Sequence, residues 1–370
     1  MRAPQVRGWC PGALRPMASG DGLVVRLRPW LGRLSARQAA GVAALSARFG
    51  NGVMDLTRRA NLQIRGVSEA GWPALLEGLR GLDLLDGDTA TESRRNVILD
   101  PRAPVGGPEW RLAEAVVAAL APLPLPAKFG VSVGLAGQAV DLTLLPDGDL
   151  WALRPTGGTR HALLPAGDIP QAVQSLAKWF LTRNGAPQGR GRMQALLART
   201  PPPGWLDRPN APLADPPPLI GRAANGWAVA LPFGLLESAQ LAALASRPLR
   251  LTPWRGLLIE GADAPPAVPG LIHDPADPLL RIHACTGAPA CPQALGDARA
   301  LARALAPTLP PGQVLHVSGC AKGCAHDRPA DRTLTATAQG WAEIPNGRAG
   351  DPPRRILPPC NKGPRHAPSL

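Results

Sequence analysis

Two stretches of the chain share one order of apolar and polar positions. The first runs from Gly22 to Val67 and the second from Gly226 to Ala262. Each begins with a short alternating segment that runs into a proline, continues into an Ala/Leu-rich segment with apolar residues at helical spacing, and ends in a second alternating segment. These periods predict a strand, a helix and a strand. Because such a unit cannot bury its faces alone, the repeat favours an internal duplication in which both copies share one sheet, rather than chance similarity.

The rest of the pattern predicts the order of the domains. A strand at "KFGVSVGLAG" and helices near 108–121 and 169–183 indicate a lobe after the first unit, and "TPPPGWLDRPNAPLADPPP" is typical of a linker. The predicted boundaries are an N-terminal segment (1–14), unit A (15–86), lobe A (87–200), the linker (201–218), unit B (219–268), lobe B (269–342) and a loosely ordered Pro/Arg-rich tail (343–370).

Composition narrows the class of protein. The chain has 370 residues, of which 45% are hydrophobic, enough to bury a core and to exclude disorder throughout. No apolar run approaches the ~18 residues of a membrane span, and the first twenty residues lack the apolar stretch of a signal peptide, so we expect a cytoplasmic protein. The net charge is +13. Because the basic residues are scattered and only 4% of residues are aromatic, a polyanionic small molecule explains the charge as well as nucleic acid does.

Four of the six cysteines form two close pairs, Cys285 with Cys291 and Cys320 with Cys324. In a reducing compartment such pairs hold metal more often than they form disulfides. Structural zinc sites use C-x2–4-C pairs, which the five-residue gap of the first pair fits poorly. Loops with nearby glycines suit a [4Fe–4S] cluster, which we predict here. Cys360 is interpreted as a bystander, and Cys10 is left open between a ligand and a buried thiol.

The cysteine motif "CTGAPAC…VSGCAKGCAH" resembles the cluster motif of the nitrite/sulfite reductase superfamily. The segment "LTRRANLQIRG" is similar to its T-x-R-x-x-x-Q-x-x-G strand, "RRNV" to its R-N-V turn, and "LPAKFGVSV" to its L-P-x-K-F-K segment. The resemblance covers nearly the whole chain up to about residue 342. It implies an α+β fold with duplicated ferredoxin-like units, two α/β lobes and a pseudo-two-fold axis.

The resemblance also implies roles for single residues. The four paired cysteines would bind the cluster, and cationic side chains would face a tetrapyrrole in the active-site cavity. The residues implied as catalytic are Arg59, Arg95 and Lys128, and those implied as cofactor-binding are Arg26, Gln63, Cys285, Cys291, Cys320 and Cys324.

The N-terminal "RGWCPGALRPMASGDGLVVRLRP" resembles the precorrin-3B synthase branch of the superfamily. That branch implies an O2-dependent monooxygenase of cobalamin biosynthesis that hydroxylates precorrin-3A at C20 and closes a γ-lactone. Implied partners are precorrin-3A, O2 and a reduced electron donor, either NADH or a redox protein, with no nucleic acid and no membrane. The implied cofactors are a [4Fe–4S] cluster and a mononuclear non-heme iron without known ligands, for which His283, His316, His326 and Asp327 are candidates.

Two other functions remain open at this point. A siroheme-dependent nitrite or sulfite reductase is the first alternative, although Gly130 stands where those enzymes have the second lysine of K-F-K. A zinc-stabilised nucleic-acid-binding protein is the second.

The segment around Arg59 carries one more expectation. Arg59, Asn61, Gln63 and Arg65 alternate with apolar residues, so on one continuous strand all four side chains would share a face. Leu62 and Ile64 would then face the core. With the resemblance, this polar face is expected to line the tetrapyrrole cavity.

Overall fold

The computed structural model describes residues 10–214 and 216–358, so Cys360 lies outside the described residues. The first unit holds five strands and two helices: Met17–Ser19 (β1), Gly22–Leu27 (β2), Arg33–Leu34 (β3), Ala36–Phe49 (α1), Val53–Leu56 (β4), Leu62–Val67 (β5) and Trp72–Arg80 (α2). The lobe after it comprises Thr89–Arg94 (α3), Val97–Leu99 (β6), Pro108–Leu120 (α4), Val131–Val133 (β7), Leu142–Asp147 (β8), Leu150–Pro155 (β9), Arg160–Leu164 (β10), Ile169–Thr182 (α5), Met193–Leu197 (α6) and Arg208–Pro209 (β11).

The second half repeats this order. Its unit consists of Gly221–Ala223 (β12), Gly226–Ala230 (β13), Leu235–Glu237 (β14), Ser238–Leu244 (α7), Leu249–Leu251 (β15) and Gly256–Glu260 (β16). Its lobe consists of Ile282–Ala284 (β17), Ala298–Leu305 (α8), Leu315–Ser318 (β18), Ala330–Thr337 (β19), Gly340–Gly347 (β20) and Arg355–Leu357 (β21). None of the helices in the described ranges has the length and apolar character that crossing a bilayer requires.

The two units exchange a strand rather than sharing one sheet. The first sheet has the order β1-β2-β5-β4-β14 and the second β12-β13-β16-β15-β3, so the short strand after the proline in each unit completes the sheet of the other. Leu34 pairs with Leu249, and Leu236 pairs with Met54. All four of these side chains are buried in a single hydrophobic core to which both units contribute. The duplication is therefore confirmed, but the expectation of one common sheet is wrong.

The lobes are duplicated as well. In lobe A, β6, β7 and β8 are parallel and β9 turns back antiparallel. In lobe B, β17, β18 and β19 are parallel and β20 turns back in the same way. Helix α4 connects β6 to β7 and helix α8 connects β17 to β18, as parallel neighbours require. The side chains that follow β6 and β7 thus correspond to those that follow β17 and β18.

Two predicted boundaries differ from the structure. Strands β20 and β21 continue the sheet of lobe B past residue 342, because Ile344 is buried and Glu343 binds both Arg332 (2.6 Å) and Arg355 (2.5 Å). Ion pairs of Glu343 thus attach β20 and β21 to the sheet, although the composition of residues 343–370 suggested a loosely ordered tail. Within the predicted linker, β11 pairs with β10, and Leu206 is buried in the core of lobe A.

One carboxylate joins both units to lobe A. Glu260, at the end of β16, accepts hydrogen bonds from Arg33 of the exchanged strand β3 (2.8–3.0 Å) and from Arg250 of β15 (2.6 Å). Arg250 is 1% exposed, donates to Ala103 O (2.6 Å) and lies over the ring of Trp110 at 4.6 Å. Burial raises the pKa of Glu260, but the two arginines outweigh burial and hold it below 4.5. Because the pKa of Glu260 is lower in the folded than in the unfolded state, this stabilisation is fully present above the unfolded-state pKa. It is lost as the pH falls through the folded-state pKa.

We predict that Glu260→Gln lowers the free energy of unfolding by about 3 kcal/mol, because it leaves the buried cation of Arg250 without its partner. Urea unfolding at neutral pH measures the change. Glu77→Gln is the matched control, since Glu77 pairs with Arg80 on the exposed face of α2 and such pairs contribute roughly 0.3–0.5 kcal/mol. An equal loss in both variants would contradict the account.

Candidate functional site: a cysteine-bearing sheet edge and a cationic cavity

Two of the paired cysteines lie at one edge of the lobe B sheet. Strands β17 and β18 are parallel, with Ala284 aligned to Val317, so their carboxyl ends meet. Cys285 directly follows β17, and Cys320 follows β18 after one glycine. The backbone N–H of Gly319 donates to Cys285 Sγ at 3.1 Å, a bond of the kind that tunes metal-bound thiolates.

The loop carrying Cys291 folds back onto this edge. Cys291 N donates to Gly287 O (2.8 Å), and Leu295 N donates to Gly319 O (2.8 Å), which ties the two cysteine loops together. Gly287 has φ +71°, and a Cβ there would lie 2.6 Å from Ala298 N. The packing of this loop against the start of α8 therefore requires glycine at this position.

Burial and neighbouring thiols act on two of the four cysteines. Burial raises the pKa values of Cys320 and Cys324, and the neighbouring thiols of Cys285 and Cys291 raise them further. All four are free of disulfides. Within the described residues no three His, Cys, Asp or Glu side chains converge on a point that one metal ion could occupy. A cubane is larger, because each of its four thiolates binds a different iron, and the four free thiols lie on two loops that are hydrogen-bonded to each other.

The histidines named as candidate iron ligands gather beside the cysteine loops. The rings of His283 and His326 stack at 4.3 Å, and His316 meets His326 at 5.7 Å. Burial lowers the pKa of His283 to about 2 and that of His316 to about 4. In the part of the chain that the structure describes, these three rings and Asp327 do not form a group that could hold one metal ion.

Arg59 lies in a turn rather than on a strand. Thr57 closes the turn: its N–H donates to Asn61 O (2.9 Å), and its Oγ1 accepts from the N–H groups of Arg59 and Asn61 (both 3.2 Å). Strand β5 begins only at Leu62. Arg59 Nη2 donates to Lys128 O (2.9 Å) and Ala139 O (3.4 Å), which attaches unit A to lobe A.

The expectation of one polar face is therefore wrong for this segment, because the turn breaks the alternation. Leu62 and Ile64 are buried in the core as expected. Arg65 is also buried, and it is bound to Asp21 (2.8 Å) and Asp55 (3.3 Å). Asp55 in turn binds Arg299 of α8 at 2.7 Å, so this network connects unit A to lobe B.

Arg26 and Gln63 are paired across β2 and β5. With its amide oxygen facing Arg26, Gln63 accepts from Arg26 Nε (3.2 Å) and Nη2 (3.0 Å). Burial and the neighbouring Arg28 lower the pKa of Arg26 to about 10, while a hydrogen bond with Cys10 opposes this shift. The structure thus brings Arg26, Gln63 and Cys10 together.

Arg95 is occupied by a different partner. Its Nε and Nη2 bind the two oxygens of Asp86, both at 2.9 Å, in a half-buried bidentate pair. Arg95 lies against a narrow pocket with Arg28 and Arg59, and does not line the larger cavity.

A cavity of ≈ 730 Å³ lies between unit A, lobe A and the loop that carries Cys320 and Cys324. That volume is in the range of about 300–1,000 Å³ typical of ligand sites. Its lining contains one acidic side chain, Glu92, and six basic ones: Arg15, Arg28, Lys128, Arg190, Arg192 and Lys322. Lys322 stands between Cys320 and Cys324, so the cavity reaches the cysteine loop.

Two of these arginines are paired with carboxylates. Arg28 is 5% exposed; it lies 3.6 Å from Glu92, and its Nε and Nη1 make no hydrogen bond with the described residues. Arg192 Nε donates to the buried Asp141 at 3.0 Å. Sequence reasoning named Lys128 but missed the arginines of the cavity. The sequence did contain a sign of Arg28, because it is a cation two residues after Arg26 in "VVRLRP". Arg192 could not be identified in this way, because only tertiary contacts bring it to the cavity.

Comparisons with known proteins agree with this architecture. Residues 15–82 match the family model described as the nitrite/sulfite reductase ferredoxin-like half domain. A curated protein from Sinorhizobium sp named precorrin-3B synthase is 29% identical over an alignment 397 residues long, which covers 94% of this chain and 84% of that protein. The solved Mycobacterium tuberculosis NirA protein superposes with a TM-score of 0.62 at 21% identity, covering 87% of this chain and 73% of that chain. The predicted α+β fold and the resemblance drawn from the motifs are confirmed.

We predict that Lys128→Gln and Arg28→Gln each weaken binding of uroporphyrin, an octacarboxylate tetrapyrrole probe, by about tenfold or more, because each removes a charge-assisted contact. Quenching of tryptophan fluorescence measures the dissociation constant.

Lys178→Gln is the matched control. Lys178 is an exposed lysine of α5 bound to Gln174 and does not line the cavity. Dissociation constants that are equal in the parent, control and cavity variants would show that the probe binds elsewhere.

Proposed function

We propose that the protein is an O2-dependent monooxygenase of cobalamin biosynthesis that hydroxylates precorrin-3A at C20 with γ-lactone formation. The observation that supports this most strongly is the cationic cavity that extends to Lys322 on the cysteine loop. Precorrins carry about eight carboxylates, which arginine forks and lysines recognise. The relative named precorrin-3B synthase, aligned over nearly the whole chain, supports the same substrate.

The reaction takes O2, two electrons and two protons, places one oxygen atom on C20 and releases the other as water. A [4Fe–4S] cluster held by Cys285, Cys291, Cys320 and Cys324 would supply single electrons. The chain's own residues bind and orient the substrate. Arg28 is fixed beside Glu92 and Arg192 beside Asp141, so their charges are positioned before the ligand arrives and little ordering is needed on binding.

The environment of Gly130 supports this proposal over a siroheme-dependent reductase. Its N–H donates to Asp141 Oδ2 (3.1 Å), and a Cβ would meet Asn96 O and Val140 Cγ1 at 3.3 Å. A second lysine, as in K-F-K, has no room there without movement of its neighbours. The cationic group that protonates a small bound anion in such reductases is therefore missing from this position.

Product analysis tests the reaction itself. We expect the reconstituted protein, given a reductant, precorrin-3A and labelled O2, to yield a product heavier by one labelled oxygen atom. A product with unlabelled oxygen would contradict the proposal, as would stoichiometric bound siroheme with nitrite or sulfite turnover. Protein without reductant is the control.

The cluster ligands have a separate test. We predict that Ser substitution at Cys285, Cys291, Cys320 or Cys324 abolishes stoichiometric iron and sulfide and destabilises lobe B, because ligation and folding are coupled. Iron and sulfide analysis with visible absorbance measures the loss.

Cys10→Ser is the control for a cysteine outside the two loops, and we expect it to keep full iron and sulfide. Full cluster content in a variant of any of the four loop cysteines would contradict the assignment of that residue.

A further inference from the structure

We infer that Arg58 is a positioning residue for the cluster loop, a role that rests on the proposed cluster and that the T-x-R-x-x-x-Q-x-x-G pattern leaves unassigned. Arg58 Nη2 donates to Ala325 O at 2.7 Å, and Nη1 donates to Asp327 Oδ1 at 3.4 Å. Ala325 directly follows Cys324. One guanidinium from unit A therefore holds the segment that carries the last of the four cysteines.

The turn that presents Arg58 is rigid. It is closed by the hydrogen bonds of Thr57, and Ala60 adopts φ +51°, which fixes the direction of the chain before β5 begins. The next residue, Arg59, binds Lys128 O of lobe A. Consecutive arginines thus attach the same turn to the cysteine loop on one side and to the wall of the cavity on the other.

The duplicated unit shows that this turn does not itself need arginine. At the corresponding turn, Thr252 N donates to Gly256 O (3.0 Å), Gly256 N donates to Thr252 Oγ1 (3.1 Å), and Arg255 has φ +59°. The positions equivalent to Arg58 and Arg59 are Pro253 and Trp254. The same backbone forms with a proline where Arg58 stands, so the contacts of Arg58 are a feature of the first copy alone.

The charge of Arg58 also lies close to the proposed cluster. Its Nη2 is 2.7 Å from the carbonyl oxygen of Ala325, the residue that follows Cys324. A cation held beside the proposed cluster stabilises its reduced, more negative state, and solvent partly screens this effect because the Arg58 side chain is 42% exposed. Arg58 should therefore raise the reduction potential of the cluster as well as fix its loop.

Two variants separate the charge from the contact. We expect Arg58→Gln to lower the reduction potential and to release iron to a chelator about fivefold faster, the ratio that corresponds to ~1 kcal/mol for one lost hydrogen bond. Arg58→Lys keeps the charge without the fork, so we expect the parent's potential with faster release. Spectroelectrochemical titration and the decay of cluster absorbance measure both quantities on the whole protein.

Arg37→Gln is the matched control. Arg37 also joins a backbone carbonyl, Gly81 O (3.1 Å), to a carboxylate, Asp83 Oδ2 (3.3 Å), but within unit A. Values for both Arg58 variants that equal those of the control and the parent would overturn this inference and leave the proposed function intact. A parent protein that assembles no cluster would overturn both.

Discussion

The exchange of one short strand between the two units determines the rest of the architecture. Because β3 completes the second sheet and β14 the first, neither unit can bury its core without the other. The shared carboxylate of Glu260 fixes the exchange electrostatically and, through Arg250, fixes lobe A to it. Lobe B is attached to the paired units by Asp55, which binds Arg65 of unit A and Arg299 of α8.

Duplication of the fold did not preserve the chemistry. The lobes have the same strand order, yet only lobe B carries cysteines after its first two parallel strands, while Asp100 follows β6 in lobe A. The paired turns show the same divergence: the first presents Arg58 and Arg59, and the second presents Pro253 and Trp254. The asymmetry places the four paired cysteines in lobe B and three of the six cationic residues of the cavity, Lys128, Arg190 and Arg192, in lobe A.

How much the sequence predicts depends on whether a feature is local. The helical and alternating periods identified the repeated unit, and the cysteine spacing identified the loops that meet at the edge of the lobe B sheet. Strand exchange could not be read from these periods, since β3 and β14 have two and three residues and pair with strands far away in the chain. The same limit applies to two arginines. The motif match of Arg95 gave no sign that Arg95 forms an ion pair with Asp86. Arg192 lines the cavity because of its ion pair with Asp141, which the sequence does not reveal.

The central claim is that a polycarboxylate tetrapyrrole binds next to an iron–sulfur cluster, with Lys322 belonging to both sites. The most direct measurement is the reduction potential of the cluster, titrated anaerobically with and without saturating precorrin-3A. The account predicts that the potential falls when the substrate binds, because nearby carboxylates disfavour the added electron. An unchanged potential with substrate demonstrably bound would contradict the account.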